Sequence, residues 1–144
     1  MKLLKALTLF AALCASSLSH AIDAKDAGEY VLLNVNQEPT PAQMRYYLQG
    51  DQWMMDGRHN GGSWSPICEG TDPCRLKTSN AADVKKWRAM LPKELQQEPF
   101  SCIDNQIAFA FCRSAKKSDP DMRLYWWISL RPEQTRLLRL NRLR

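Results

Sequence analysis

Large apolar residues recur along much of this chain at a period of two, the mark of strands with one buried face. Residues 28–36 (Gly-Glu-Tyr-Val-Leu-Leu-Asn-Val-Asn) are β-branched and aromatic, and Pro39 and Pro41 follow, so they read as a strand. Met44, Tyr46 and Leu48 alternate with other residues over residues 43–49, which predicts a second. Gly50-Asp51 marks a turn. Residues 53–56 and 63–68 read as short strands around Gly57-Arg58-His59-Asn60-Gly61-Gly62, where Asn-Gly-Gly supplies the positive φ of a hairpin turn. Ile107, Phe109 and Phe111 alternate with Ala108 and Ala110, predicting a well-buried strand with the three large side chains on one face. Residues 122–130, which carry Tyr125-Trp126-Trp127, and residues 134–143, with arginines among leucines, read as the last two strands.

One stretch breaks the alternation. Val84, Trp87 and Leu91 recur at helical spacing, Ser79 or Asn80 can cap the start, Asp83 sits in the first turn, and Pro92 stops the run. This predicts one helix of about eleven residues. Residues 69–73, 93–99 and 114–121 read as polar or charged loops, with Leu95 a candidate to pin the second to the body. Strands joined by short turns form antiparallel sheets. The predicted class is therefore α+β and mainly antiparallel β: a curved sheet or half-barrel with one helix packed on it.

The first residues change the size of the folding unit. Lys2 and Lys5 precede an apolar run from Ala6 to Leu18, too short to span a bilayer comfortably, and Ser19-His20-Ala21 places small residues where a leader peptidase reads. Residues 1–21 are thus expected to be a secretory signal peptide cleaved near Ala21, and residues 22–144 a single globular domain outside the cytoplasm, periplasmic or secreted. No later stretch is apolar for long enough to be a transmembrane segment. The leader holds two of the 20 basic residues and no acidic one, so the net charge of +5 falls to about +3 after cleavage (+5 less the two lysines).

Of five cysteines, Cys14 lies in the apolar run behind bulky Leu13, so it reads as discarded with the leader rather than lipidated. Cys68, Cys74, Cys102 and Cys112 remain, and an even number in a small exported domain reads as two disulfides. Local pairing, Cys68 with Cys74 and Cys102 with Cys112, is favoured. A turn at Asp104-Asn105 would put the second pair about 17 Å out of register, so either the turn lies nearer residues 106–108 or the pairing crosses to Cys68 and Cys74. No spacing suits zinc, no Cys-x-x-Cys redox pair exists, and no cofactor is implied.

Candidate chemistry is thin. Asp56, His59 and Ser63 fall in a glycine-rich hairpin turn, where polar residues are expected without catalysis. Asp51, Asp56, Glu69, Asp72, Asp104, Asp119 and Asp121 read as solvated loop carboxylates. No catalytic residue is assigned. Trp126 and Trp127 face opposite ways on their strand, so either the sheet is covered on both sides or one indole is partly exposed. Trp126, Trp127, Arg136 and Arg139 are the candidate binding residues, since aromatic and arginine side chains dominate protein interfaces. Export argues against nucleic acid as a partner.

In leader, size, cysteines and β content the chain resembles small periplasmic binding proteins, among them lysozyme inhibitors and immunity proteins against exported toxins. No motif carries the likeness, so it assigns no site. It implies a non-enzymatic protein that binds another protein of the cell envelope, such as a cell-wall hydrolase or a delivered toxin. Two other classes stay open: an envelope hydrolase or carbohydrate-modifying enzyme, which two carboxylates in one cleft would favour, and a carbohydrate-binding module, which a flat aromatic strip would favour.

Overall fold

A computed structural model describes residues 21–144; Cys14 and the expected leader up to residue 20 lie outside the described residues. Nine strands of the described residues form one antiparallel sheet: β1 Gly28–Leu33, β2 Pro39–Gln49, β3 Gln52–His59, β4 Ser65–Cys68, β5 Lys77–Thr78, β6 Phe100–Asp104, β7 Phe109–Lys116, β8 Asp119–Ser129 and β9 Arg136–Arg142. Their order across the sheet is β4-β3-β2-β1-β9-β8-β7-β6-β5. The helix, α1, spans Ala81–Arg88 between β5 and β6. This is the expected mainly antiparallel α+β fold with one helix, curled into a half-barrel. A lone bridge from Trp53 to Leu76 brings β3 towards β5 across the open side.

Curling gives the sheet two differently covered faces. On the inner face Tyr30, Tyr46, Phe111 and Tyr125 pack ring against ring, with centroids 4.0–6.0 Å apart. Met44, Trp53, Met55, Ile103, Phe109 and Leu140 extend this core. On the outer face, α1 and the segment after it set Trp87, Leu91 and Leu95 against Phe100, Cys102, Ala110, Cys112, Trp126 and Ile128. The small side chains of β7 permit that approach, as their alternation predicts. Asn80 caps α1, accepting from the Asp83 N–H at 2.8 Å. The helix is shorter than expected: Leu91 is buried beyond its end, and Leu95 is pinned by a 3₁₀ turn at Lys93–Leu95.

Both local disulfides form. Cys102 and Cys112 are directly opposed on β6 and β7, with Cα atoms 4.1 Å apart; those of Cys68 and Cys74 are 4.9 Å apart. The register works because the turn occupies residues 105–108. The Asn105 side chain accepts from the N–H groups of Ile107, Ala108 and Phe109 at 2.9–3.2 Å, which holds the turn wide. Ile107 therefore stands in the turn, 61% exposed, not in the buried row with Phe109 and Phe111 as its pattern suggested. β5 and β6 were not foreseen as strands. The run at 114–121 is not a loop but the tips of β7 and β8 around a two-residue turn. The hairpin between β3 and β4 turns on Asn60 and Gly61, with φ of 52° and 68°, as Asn-Gly predicts.

Candidate binding surface

The helix covers the outer face over β6 to β8 and does not extend over β2 and β3, whose outer face is covered by their own side chains and the segment after β3. Alternation on β2 turns Met44 and Tyr46 inward and Gln43, Arg45 and Tyr47 outward. Their register partners on β3 are Arg58, Asp56 and Met54 respectively. A cross-strand ion pair follows: Arg45 places Nε at 2.7 Å and Nη2 at 2.6 Å from Asp56 Oδ2. The Tyr47 hydroxyl donates to Asp56 Oδ1 at 3.4 Å. Partial burial, then the Asp56 carboxylate, raises the Tyr47 phenol above its ordinary pKa and keeps it a neutral donor. Beside them Arg58 Nε donates to Gln43 Oε1 at 2.6 Å.

Trp64 completes the group. It follows the Asn60-Gly61 turn, and the Cζ atoms of Arg58 and Arg45 lie 4.3 and 4.8 Å from its ring centroid. Arg45 Cζ also lies 5.8 Å from the Tyr47 ring. Cation–π contact fixes two long, entropy-rich side chains on flat supports. Arg58, Trp64, Arg45 and Tyr47 thus form a partly exposed band, already ordered. A depression of about 560 Å³ lined by Gly28, Glu29, Arg45 and Tyr47 borders it.

The four residues favoured from sequence do not form one patch. Trp126 is 6% exposed in the core beneath the helix, with Nε1 donating to Ser114 Oγ at 3.0 Å, so it is not a surface anchor. Arg139 lies over its ring at 5.6 Å. Trp127 points to the inner face, half-buried, stacked on Phe109. Arg136 is exposed opposite Ser129. At β8 the sheet is covered on both sides, and Trp127 keeps some exposure. Sequence reasoning missed the band, although its signal was there. The positions that alternate with Met44, Tyr46 and Leu48 include Gln43, Arg45 and Tyr47.

Asp56, His59 and Ser63 do not converge. Asp56 and His59 are three apart on β3, so their side chains leave opposite faces, and Asp56 is held by Arg45 and Tyr47. A second cleft, of about 460 Å³, is lined by Asp83 and Asp104 together with Asn80, Lys86 and Thr135. Asp104 is buried and accepts from the Ser79 hydroxyl and, at 2.7 Å, from the Gln106 N–H. Asp83 accepts from the Asn80 amide at 2.8 Å. Among the described residues no three His, Cys, Asp or Glu side chains gather as a metal site would require, and no helix is long and apolar enough to cross a membrane.

A third charged group was not foreseen at all. Asp26 has no accessible surface. It accepts from Arg113 Nη1 at 2.5 Å, Arg123 Nη1 at 2.6 Å, the Tyr125 hydroxyl at 2.9 Å and the Asp23 N–H at 2.9 Å. Arg113 also reaches the Ala21 carbonyl at 3.1 Å. The group ties the segment before β1 to β7 and β8, where Ile22 and Ala27 join the inner core. Its role is to hold the fold. Compared with protein families, characterised proteins and solved structures, the chain shows no match in any of the three.

Proposed function

We propose that this chain is a small exported, non-enzymatic binding protein whose target is another protein of the cell envelope, such as a cell-wall hydrolase or a delivered toxin. The observation that carries this reading is the ordered, partly exposed Arg58–Trp64–Arg45–Tyr47 band on the sheet face away from the helix. Arg, Trp and Tyr are the side chains on which protein interfaces concentrate their energy. A band held in place before contact also loses less entropy on binding than free side chains would. The two disulfides are compatible with an oxidising compartment.

The test is capture of a partner from envelope extract, its identification by mass spectrometry, and titration of the two purified proteins. Trp64→Ala and Arg58→Ala should each weaken the complex by about 2 kcal/mol or more, while Lys116→Ala, at the far tip of β7, leaves it unchanged. Equal affinity of all three variants and the parent would overturn the assignment. The enzyme reading draws on the cleft that holds both Asp83 and Asp104. It requires Asp83→Asn or Asp104→Asn to abolish turnover of a cell-wall substrate that the parent protein processes.

A further inference from the structure

Resting on the protein-binding reading, we infer that the end of the half-barrel carrying Val35 and Ile107 docks on the partner, which meets these two side chains with uncharged, apolar recesses. Two observations carry this. The first is exposure at one end of the molecule. Val35 and Ile107 are the two most exposed large apolar side chains among the described residues, at 76% and 61%. The turn at residues 34–38 follows β1, and the turn at residues 105–108 precedes β7. Antiparallel pairing through β9 and β8 makes β7 run opposite to β1, so both turns lie at the same end. They are three to four strand steps apart, about 14–19 Å along the sheet. β3 runs in the same direction as β1, so the Asn60-Gly61 turn that leads to Trp64 is at this end too. A partner of ordinary footprint, about 800 Å² a side, can cover both turns and reach the band.

The second observation is that the two turns are built alike and held still. Asn34 Oδ1 accepts from the N–H groups of Asn36 and Glu38 at 2.9 and 3.0 Å, as Asn105 does from three N–H groups in its own turn. Each turn sets a glutamine in the left-handed region, Gln37 and Gln106, both with φ of 64°. The Gln106 N–H also donates to Asp104 at 2.7 Å, and the Cys102–Cys112 bridge ties the strands beneath. These braces use asparagine side chains and backbone. They do not call for Val at 35 or Ile at 107, where turn chemistry favours small polar residues. A β-branched side chain has little χ1 freedom, and on a fixed turn it loses little entropy when a partner covers it.

The neighbouring chemistry selects the occupant. Residues 34–37 and 105–108 include no charged side chain, so they do not complement a charged segment or hold anionic headgroups. The exposed amides of Asn36, Gln37 and Gln106 flank the two aliphatic groups. Once covered they need hydrogen-bonding partners, which a protein surface offers and hydrocarbon does not.

The test titrates the partner, captured from envelope extract and purified, into single variants. Val35→Ser and Ile107→Ser should each weaken the complex roughly tenfold, the worth of covering one aliphatic side chain, with unchanged melting temperature. Met122→Ser and Leu143→Ser, at side chains 47% and 46% exposed at the opposite end, should leave the affinity unchanged. Equal affinity of the Val35 and Ile107 variants and the parent overturns the inference, as does an equal loss in the Met122 and Leu143 variants. If Trp64→Ala still weakens that complex, the protein-binding reading stands. Flotation with phosphatidylcholine vesicles and sedimentation of the protein alone test the other occupants. Vesicle binding or self-association that both Val35→Ser and Ile107→Ser abolish overturns the inference, in favour of a lipid surface or a second copy. No partner captured by the parent overturns the protein-binding reading and this inference with it.

Discussion

Asp26, without accessible surface, is paired inside the fold with Arg113 and Arg123. Removing the negative member would leave buried Arg113 facing a neutral amide. Asp26→Asn should therefore cost about 3–5 kcal/mol, read as a large fall in melting temperature. Arg144→Ala, which breaks an exposed pair with Glu29, should shift it little. The buried tyrosines set the alkaline limit. Burial penalises the phenolates of Tyr30 and Tyr46 and raises both hydroxyls above their ordinary pKa. A pKa higher in the folded state adds stability that is complete below the unfolded value, near 10, and is lost as pH climbs past it. The urea midpoint should hold from about pH 7 to 9 and fall above about pH 10. Tyr46→Phe should blunt that fall, since its hydroxyl makes only a 3.5 Å contact with Met44 Sδ. None of this was legible residue by residue. The arginines that hold Asp26 lie 87 and 97 positions away, so no local pattern marks it.

Elements were legible where one face is wet and the other dry. β2 alternates and was found; α1 shows its apolar stripe and its cap. β6 was missed because both of its faces are covered: Phe100 and Cys102 lie beneath the helix and Ile103 points into the inner core. A strand buried on both sides has no period to detect. Ile107 misled in the other direction, because one Asn105 side chain outweighs a period-two pattern by occupying three backbone donors. The helix holds on chiefly through Trp87, 4% exposed. Trp87→Ala should cost about 3–5 kcal/mol by chemical denaturation. Replacing both Cys102 and Cys112 by Ala should cost about 3 kcal/mol, with the β6–β7 ladder retained and amide exchange faster along it.

At the scale of the molecule, the class and curvature were readable from the succession of short strands and turns, but the neighbour relation of β1 and β9 was not. Hairpins are written in local sequence; the pairing of Tyr30 with Arg142 is a property of closure. The candidate surface is illegible for a similar reason. It exists only when β2, β3 and the turn after β3 bring four side chains into one band. A chain ending at Thr135 keeps eight strands but loses the one that lies between β1 and β8. It should give the poorly dispersed amide spectrum of an unfolded protein, and native dispersion would show that the two halves fold separately.

The pairing of β1 with β9 also bears on the order in which the chain is made. Synthesis proceeds from the amino end, so β1 waits through the appearance of every other strand before its second neighbour arrives. Until residues near 142 have emerged, the ladder between the halves is missing and the aromatic core lacks one wall. By topology alone, the sheet cannot close before the last strand of the chain has been made.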